Sequence, residues 1–241
     1  MILLARDVLL IKKNEIKLIN KIYNFVFLTM ILFLDTISPL PEFSLIEDNK
    51  IIFSKKIVTN LQNKMSDSII PTYLKIEKKF SLTNKLKCLV TNTGPGSYTA
   101  LRIGISFLSG LSISKNINLI GLSAIELFNY SINKNKLDTT ALFVNSSNNQ
   151  NFLCLYDVDK KKYSIDKVQK DIDMIKLEKL SIHTIISNSE NDFFNLDILN
   201  KIKYKKISFK KIVNENINDI LFIPKKEIIE PIYISDNKIL N

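Results

Sequence analysis

The chain predicts a duplicated α/β fold, in which each half opens with three strands and continues into helices and further strands. Three observations carry this expectation. Short apolar runs bounded by turn residues come in triplets, once after residue 30 and again after residue 139. Segments of helical period follow each triplet. All five glycines of the 241 residues fall between Gly94 and Gly121, at a strand-to-helix connection of the first half. Glycine serves positions of positive φ or close backbone approach, so that window draws the functional reading.

Residues 31–34 form the first apolar run, typical of a central strand. Residues 43–46 and 50–58 flank Glu47-Asp48-Asn49 and make a hairpin. Ser66-Asp67 caps a helix whose apolar positions are Ile69, Ile70, Tyr73, Leu74, Ile76 and Phe80, with Pro71 in its first turn. A strand over 86–91 leads through Gly94-Pro95-Gly96 into a helix over 97–114, with Ser97 as its N-cap. A strand over 117–121 follows. Ser123 and Glu126 form a capping box that opens a helix to about residue 132. The first half therefore reads βββαβαβα.

Strands are expected again over 140–144, 152–156 and 163–168, then a helix over 170–180 and strands over 184–187 and 202–209. A helix over 214–222 and an extended Glu230-Pro-Ile-Tyr-Ile segment close the pattern. The expected organisation is an extension over 1–29, a first subdomain over 30–134 and a second over 135–241, its C-terminal segment returning to the first. Residues 1–29 are expected to be an over-extended start or a dispensable segment, because Met30 begins a strand-like run.

Composition narrows the function. The formal charge is +10, but isoleucine, asparagine and lysine dominate, and all three have A/T-rich codons. The lysines are spread in pairs along the chain, as on a solvated surface, which argues against a stand-alone nucleic-acid reader. Arg6 and Arg102 are the only arginines. A guanidinium fork is not replaceable by lysine at a bidentate site, so Arg102 points to a specific polar contact. His183 is the single histidine, which excludes a two-histidine metal motif; it is expected to be structural. Cys88 and Cys154 lie in apolar runs and read as buried thiols in a reducing compartment. No run reaches the length of a membrane helix. The basic and apolar stretch up to residue 34 has the look of a secretory signal, but no cleavage site follows it. A cytoplasmic protein with no membrane contact is expected.

The glycine window is neither a Walker A loop nor G-x-G-x-x-G. Ser97, Ala100 and Gly104 recur at spacings of three and four and share one helix face. Leu101, Ile105 and Leu108 line the adjacent stripe. A glycine inside a helix costs about 1 kcal/mol relative to alanine. Gly104 is accordingly expected where another helix or backbone approaches closely, within the chain's own packing or at a partner.

Gly94-Pro-Gly-Ser-Tyr-Thr-Ala-Leu-Arg-Ile-Gly104, followed by Ile120-Gly-Leu-Ser-Ala-Ile-Glu126, resembles the TsaB (YeaZ) family of tRNA threonylcarbamoyladenosine biosynthesis. That family's pattern is G-P-G-S-F-T-G-L-R-I-G, then G-V-S-S-L-E. Met30-Ile-Leu-Phe-Leu-Asp-Thr36, Ser66-Asp67 with Ile70-Pro71, and Glu230-Pro-Ile-Tyr-Ile234 resemble further family segments. Departures are Ala100 in place of glycine, Met65 in place of histidine, Ile37 in place of serine, and Asn145-Ser-Ser147 where Asp-Ala-Arg is common.

The resemblance implies an actin-like (ribonuclease H-like) fold and a subunit without catalysis of its own. Its partners would be the transferase TsaD and the ATPase TsaE, with tRNA reached through the complex and a homodimer as a second mode of pairing. It implies no cofactor on this chain alone, with ATP or ADP entering at the level of the complex, and no metal. The implied partner face comprises Ser66, Asp67, Ile70, Gly94, Pro95, Gly96, Ser97, Tyr98, Ala100, Leu101, Arg102, Gly104 and Ile105. Asp35 and Thr36 would lie near a nucleotide, where such folds place a metal-facing carboxylate; an ATPase or small-molecule kinase acting alone is the alternative.

Overall fold

A computed structural model describes residues 30–59, 64–132, 134–147, 150–168, 181–190, 202–224, 228–234 and 239–240. The expectations for 1–29 and for a helix over 170–180 lie outside these residues.

Strands β1 (Met30–Asp35), β2 (Glu42–Glu47) and β3 (Lys50–Lys56) form an antiparallel meander. Asp48 and Asn49 turn the hairpin with φ of 50° and 57°, the left-handed pair that suits the twist of a two-residue loop. Helix α1 (Met65–Phe80) leads to β4 (Leu86–Asn92), helix α2 (Tyr98–Lys115), β5 (Asn118–Leu122) and helix α3 (Ala124–Asn129). The sheet order is β3-β2-β1-β4-β5, with β1, β4 and β5 parallel.

The second half repeats this logic. Strands β6 (Thr140–Asn145), β7 (Asn151–Asp157) and β8 (Lys162–Val168) form a meander, and β9 (Thr184–Ser187) and β10 (Lys203–Lys206) add in parallel beside β6. The order β10-β9-β6-β7-β8 sets β6 where β1 sits in the first sheet. Short helices α4 (Phe209–Glu215) and α5 (Ile217–Leu221) follow, then β11 (Tyr233–Ile234) and β12 (Ile239–Leu240).

The period of two along each central strand sorts side chains into layers. Met30, Leu32 and Leu34 face a core shared with α1 and α2, whereas Ile31 and Phe33 face a core shared with Leu142, Val144, Phe152, Phe209 and Ile212. The second core binds the two sheets through α3, α4 and α5. A third lies on the far side of the second sheet, around Phe143, Leu153 and Ile185. Each fully buried Leu, Ile or Phe contributes about 1.5–3 kcal/mol relative to exposure. Lys210 of α4 donates to both carboxylate oxygens of Glu42 at 2.9 Å and ties the halves from the β2 side.

Four boundaries differ from expectation. Helix α1 starts at Met65, with Lys64 as its N-cap residue and the Lys64 amide donating to the Asp67 carboxylate at 3.2 Å. Pro71 therefore sits in the second turn, where its missing N–H removes one helical bond. Helix α3 ends at Asn129 rather than near 132. The strand expected to reach Phe209 ends at Lys206, because the Ser208 carbonyl already accepts the Ile212 amide of α4. The helix expected over 214–222 is two short ones, interrupted at Asn216, whose side-chain amide donates to the Ile212 carbonyl at 2.8 Å. The capping box at Ser123 forms, with the Glu126 amide donating to the Ser123 hydroxyl at 3.1 Å and the Ser123 amide to the Glu126 carboxylate at 2.6 Å.

Cys88 and Cys154 are free and buried; burial pushes the Cys88 thiol up to about 12 and the Cys154 thiol well above its ordinary range. Both are held in the neutral form that packs as a small apolar group. Among the described residues, no helix is long and apolar enough to cross a membrane.

Candidate partner interface

The C-terminal ends of β1, β4 and β6 converge on a polar seam between the halves. Asp35 closes β1 with its Oδ1 accepting the Ile37 and Ser38 amides, each at 3.0 Å, and the Asn92 side-chain amide at 2.6 Å. Asn92 Oδ1 in turn accepts the Thr36 amide at 2.9 Å and its hydroxyl at 3.1 Å. Burial pushes the Asp35 carboxyl above its ordinary value, against the opposing hydrogen bonds from Ser38, Asn92 and Ile37. Both residues expected near a nucleotide are thus buried, with Asp35 bonded to its own loop and both bonded to Asn92 at the end of β4.

Three bonds build the seam from the other side. The Ser97 amide donates to the Ser146 hydroxyl at 3.0 Å, and Asn188 Nδ2 donates to the Ser38 hydroxyl at 3.2 Å and to the Asn145 carbonyl at 2.8 Å. Ser97 occupies the N-cap of α2, but its side chain makes no capping bond. Ser146, within the Asn145-Ser-Ser147 segment that departs from the resembling family, supplies a neutral bridge to the glycine turn. Sequence reasoning missed Asn92, Ser146 and Asn188. In a chain this rich in asparagine and serine, residue type gave no signal; the position of Asn92 at the end of a strand was the one available cue.

The glycines have reasons inside the chain. Gly94 has φ of +120°, and a Cβ there would meet the Ile232 carbonyl at 2.7 Å. The Ile232 amide donates to the Thr93 carbonyl at 2.7 Å, so residues 228–234 run as a strap across the turn. Gly121 lies under the same strap, 2.6 Å from Ile229 Cγ2 at its missing Cβ. Gly96 faces the Ser146 hydroxyl at 3.2 Å.

Gly104 resolves the alternatives left open by its spacing in favour of packing within the chain. A Cβ there would overlap the Thr36 methyl and approach Leu34 at 3.4 Å, so the close neighbour is β1 of the same chain rather than a partner helix. Gly94, Pro95, Gly96, Ser97, Ala100, Leu101, Gly104 and Ile105 are all buried within the chain. Of the residues assigned to the partner face, Ser66, Asp67, Ile70, Tyr98 and Arg102 are exposed.

Gly110 is the exception among the glycines. It is exposed, in the interior of α2, and nothing lies within 4 Å of its missing Cβ. Ile103, Phe107 and Gly110 share a helix face by spacing, and the Phe107 ring meets Tyr73 of α1 at 5.3 Å. Beside this seam α1 exposes Ile70 and Leu74, each 52% accessible, and α2 exposes Ile113 at 82%. Together they form an apolar two-helix face with a glycine that internal packing does not require. At its N-terminal end the face adjoins a cleft of about 280 Å³, lined by Pro39, Pro41, Met65, Ser66, Thr99 and Ile103 among others.

The single histidine, His183, has an exposed side chain, and its backbone amide donates to the Thr139 carbonyl at 2.9 Å. Among the described residues, no group of three or more His, Cys, Asp or Glu side chains is arranged to hold a metal. The two-histidine metal motif cannot be assembled from this sequence at all.

Comparison with known proteins agrees with the architecture. The profile of the family described as TsaD, tRNA N6-adenosine threonylcarbamoyltransferase, matches residues 59–236. No curated protein matches the sequence. Among solved structures, an uncharacterized protein with similarity to peptidase YeaZ from Pseudomonas aeruginosa shares 11% identity over 86% of this chain and 100% of its own, with a TM-score of 0.55. YeaZ from Pseudomonas aeruginosa shares 14% identity over 60% of this chain and 68% of its own, with a TM-score of 0.41. The ethanolamine utilization protein EutJ from Carboxydothermus hydrogenoformans shares 7% identity over 80% of this chain and 89% of its own, with a TM-score of 0.42. The duplicated α/β fold expected from the sequence is the fold found, and by the span of the profile match the chain belongs to the TsaD family.

Proposed function

We propose that this chain is the TsaB-type partner subunit on which a TsaD transferase docks during threonylcarbamoyladenosine modification of tRNA, together with the ATPase TsaE. It performs no catalysis alone. The observation that carries this reading is the apolar α1–α2 face, where Ile70 and Leu74 stand exposed beside an uncrowded Gly110. A solvent-facing glycine within a helix lowers stability by about 1 kcal/mol relative to alanine and is accounted for when another backbone must come close. Family membership and the YeaZ-like motif supply the identity of the partner class.

Ile70→Ser with Leu74→Ser tests the face. The doubly substituted protein is expected to keep its thermal midpoint and to lose binding to the TsaD protein of the same cell in a calorimetric titration. Binding at unchanged affinity would place the docking surface elsewhere. The rival reading, an ATPase acting alone, is tested by incubating the isolated chain with ATP and Mg²⁺. No turnover above background is expected, and clear turnover overturns the subunit reading. Asp35, on which that rival depends, already has its Oδ1 engaged by three donors.

A further inference from the structure

Arg102 is the one arginine among the described residues, and it is engaged by one hydrogen bond and two aromatic rings. Its Nε donates to the Tyr233 hydroxyl at 2.9 Å. Its guanidinium carbon lies 4.1 Å from the Tyr98 ring centroid and 5.7 Å from that of Tyr233. The two rings meet each other at 4.5 Å with 39° between their planes. Tyr98 is 47% accessible and Arg102 is exposed. Among the described residues no carboxylate pairs with this guanidinium, and no acceptor faces its two Nη nitrogens.

Such an arrangement differs from an ordinary surface cation. A free lysine or arginine gives up rotamer freedom when it binds, which is why exposed ion pairs contribute little. Here the ring stack and the Nε bond have already removed that freedom. The remaining donors are the parallel Nη pair, the fork that matches a planar two-oxygen acceptor. Arg102, Ser106 and Gly110 recur at spacings of four along α2 and are all exposed, so the guanidinium stands on the same helix as the apolar face.

We propose that Arg102, preset by Tyr98 and Tyr233, is the polar anchor of the docking face and receives a carboxylate of the partner protein in a two-oxygen contact. This inference rests on the subunit reading above. Tyr233 acts as a positioning residue, supplied by the strap. A protein carboxylate is favoured over an RNA phosphate because the helix that carries Arg102 also exposes Ile113, and the neighbouring α1 exposes Ile70 and Leu74, apolar surface that suits a protein and not a polyanion.

Titration of the full chain with its TsaD protein tests this, using Arg102→Ala, Arg102→Lys and Tyr233→Phe, with circular dichroism to confirm folding. Both Arg102 substitutions are expected to weaken binding by about tenfold or more, with lysine giving no substantial rescue, and Tyr233→Phe by about threefold. Wild-type affinity should fall with added salt more steeply than that of Arg102→Ala. A lysine variant that binds like wild type overturns the two-oxygen contact. If Ile70→Ser/Leu74→Ser abolishes binding while the Arg102 variants bind normally, the anchor is wrong and the docking reading stands. If none of these variants changes affinity, both fall. Arg102 variants with unchanged protein affinity but weaker tRNA binding by the assembled complex would reassign the guanidinium to phosphate. Loss only of self-association, seen by sedimentation of the free chain, would reassign it to a second copy.

Discussion

Gly104 and Gly110 lie on the same helix in opposite surroundings. The inner glycine is pressed against Thr36, just past the end of β1, where a single added carbon has no room; the outer one opens to solvent with nothing within 4 Å of its missing Cβ. Residue type alone registers both alike, since it reports size but not which side of the helix is already occupied. The difference teaches that a small-residue stripe becomes informative about partners only after the chain's own close contacts are subtracted.

Substitutions can break that comparison. The largest effect is expected for Gly104→Leu, which must displace Thr36 and part of β1; a loss of about 3 kcal/mol or more should appear in urea unfolding. Asn92→Ala is expected to follow at about 2 kcal/mol, because it strips Thr36 of an acceptor and Asp35 of a donor in a buried setting. Asp35→Asn probes the same inner side through pH. The folded state holds the Asp35 proton to higher pH than the unfolded chain does, so this carboxyl's contribution is fully present below the ordinary aspartate range and is lost as pH rises through the folded value. The variant keeps an Oδ1 acceptor and lacks that loss. Its stability relative to wild type should therefore rise as pH increases above the ordinary aspartate range in urea melts. The smallest effect belongs to the outer glycine. Gly110→Ala should gain about 0.5–1 kcal/mol, while Gly110→Leu should stay folded and lose TsaD binding. A destabilised Gly110→Ala protein would mean that the outer face is not open.

Much of the fold was legible because β1 to β3, Ser123–Glu126 and the hairpin turn at Asp48-Asn49 are set by local chemistry: alternation, a capping box and left-handed turn residues. Where several local signals competed, boundaries slipped. Asp67 read as a cap although it serves from the third helical position, and Phe209 read as strand although Ser208 starts a helix. The glycine window was visible, but its explanation was not. The contacts that explain it reach from Gly94 to Ile232, from Gly121 to Ile229 and from Ser97 to Ser146, distances along the chain that no periodicity encodes. Arg102 stood out by its scarcity; Tyr233, which fixes its pose, did not.

The strap across the glycine turn sets an order of events for a growing chain. The hydrogen bond from Arg102 to Tyr233 spans 131 residues, and Ile229 and Ile232 come equally late. A ribosome can release the strands and helices of the first half long before the segment that covers Gly94 and Gly121 exists. Until then the turn keeps an uncovered backbone, and the guanidinium lacks the acceptor that fixes it. Under the docking role proposed above, readiness to bind a partner would be tied to completion of the second half, and unfinished chains would compete poorly for assembly.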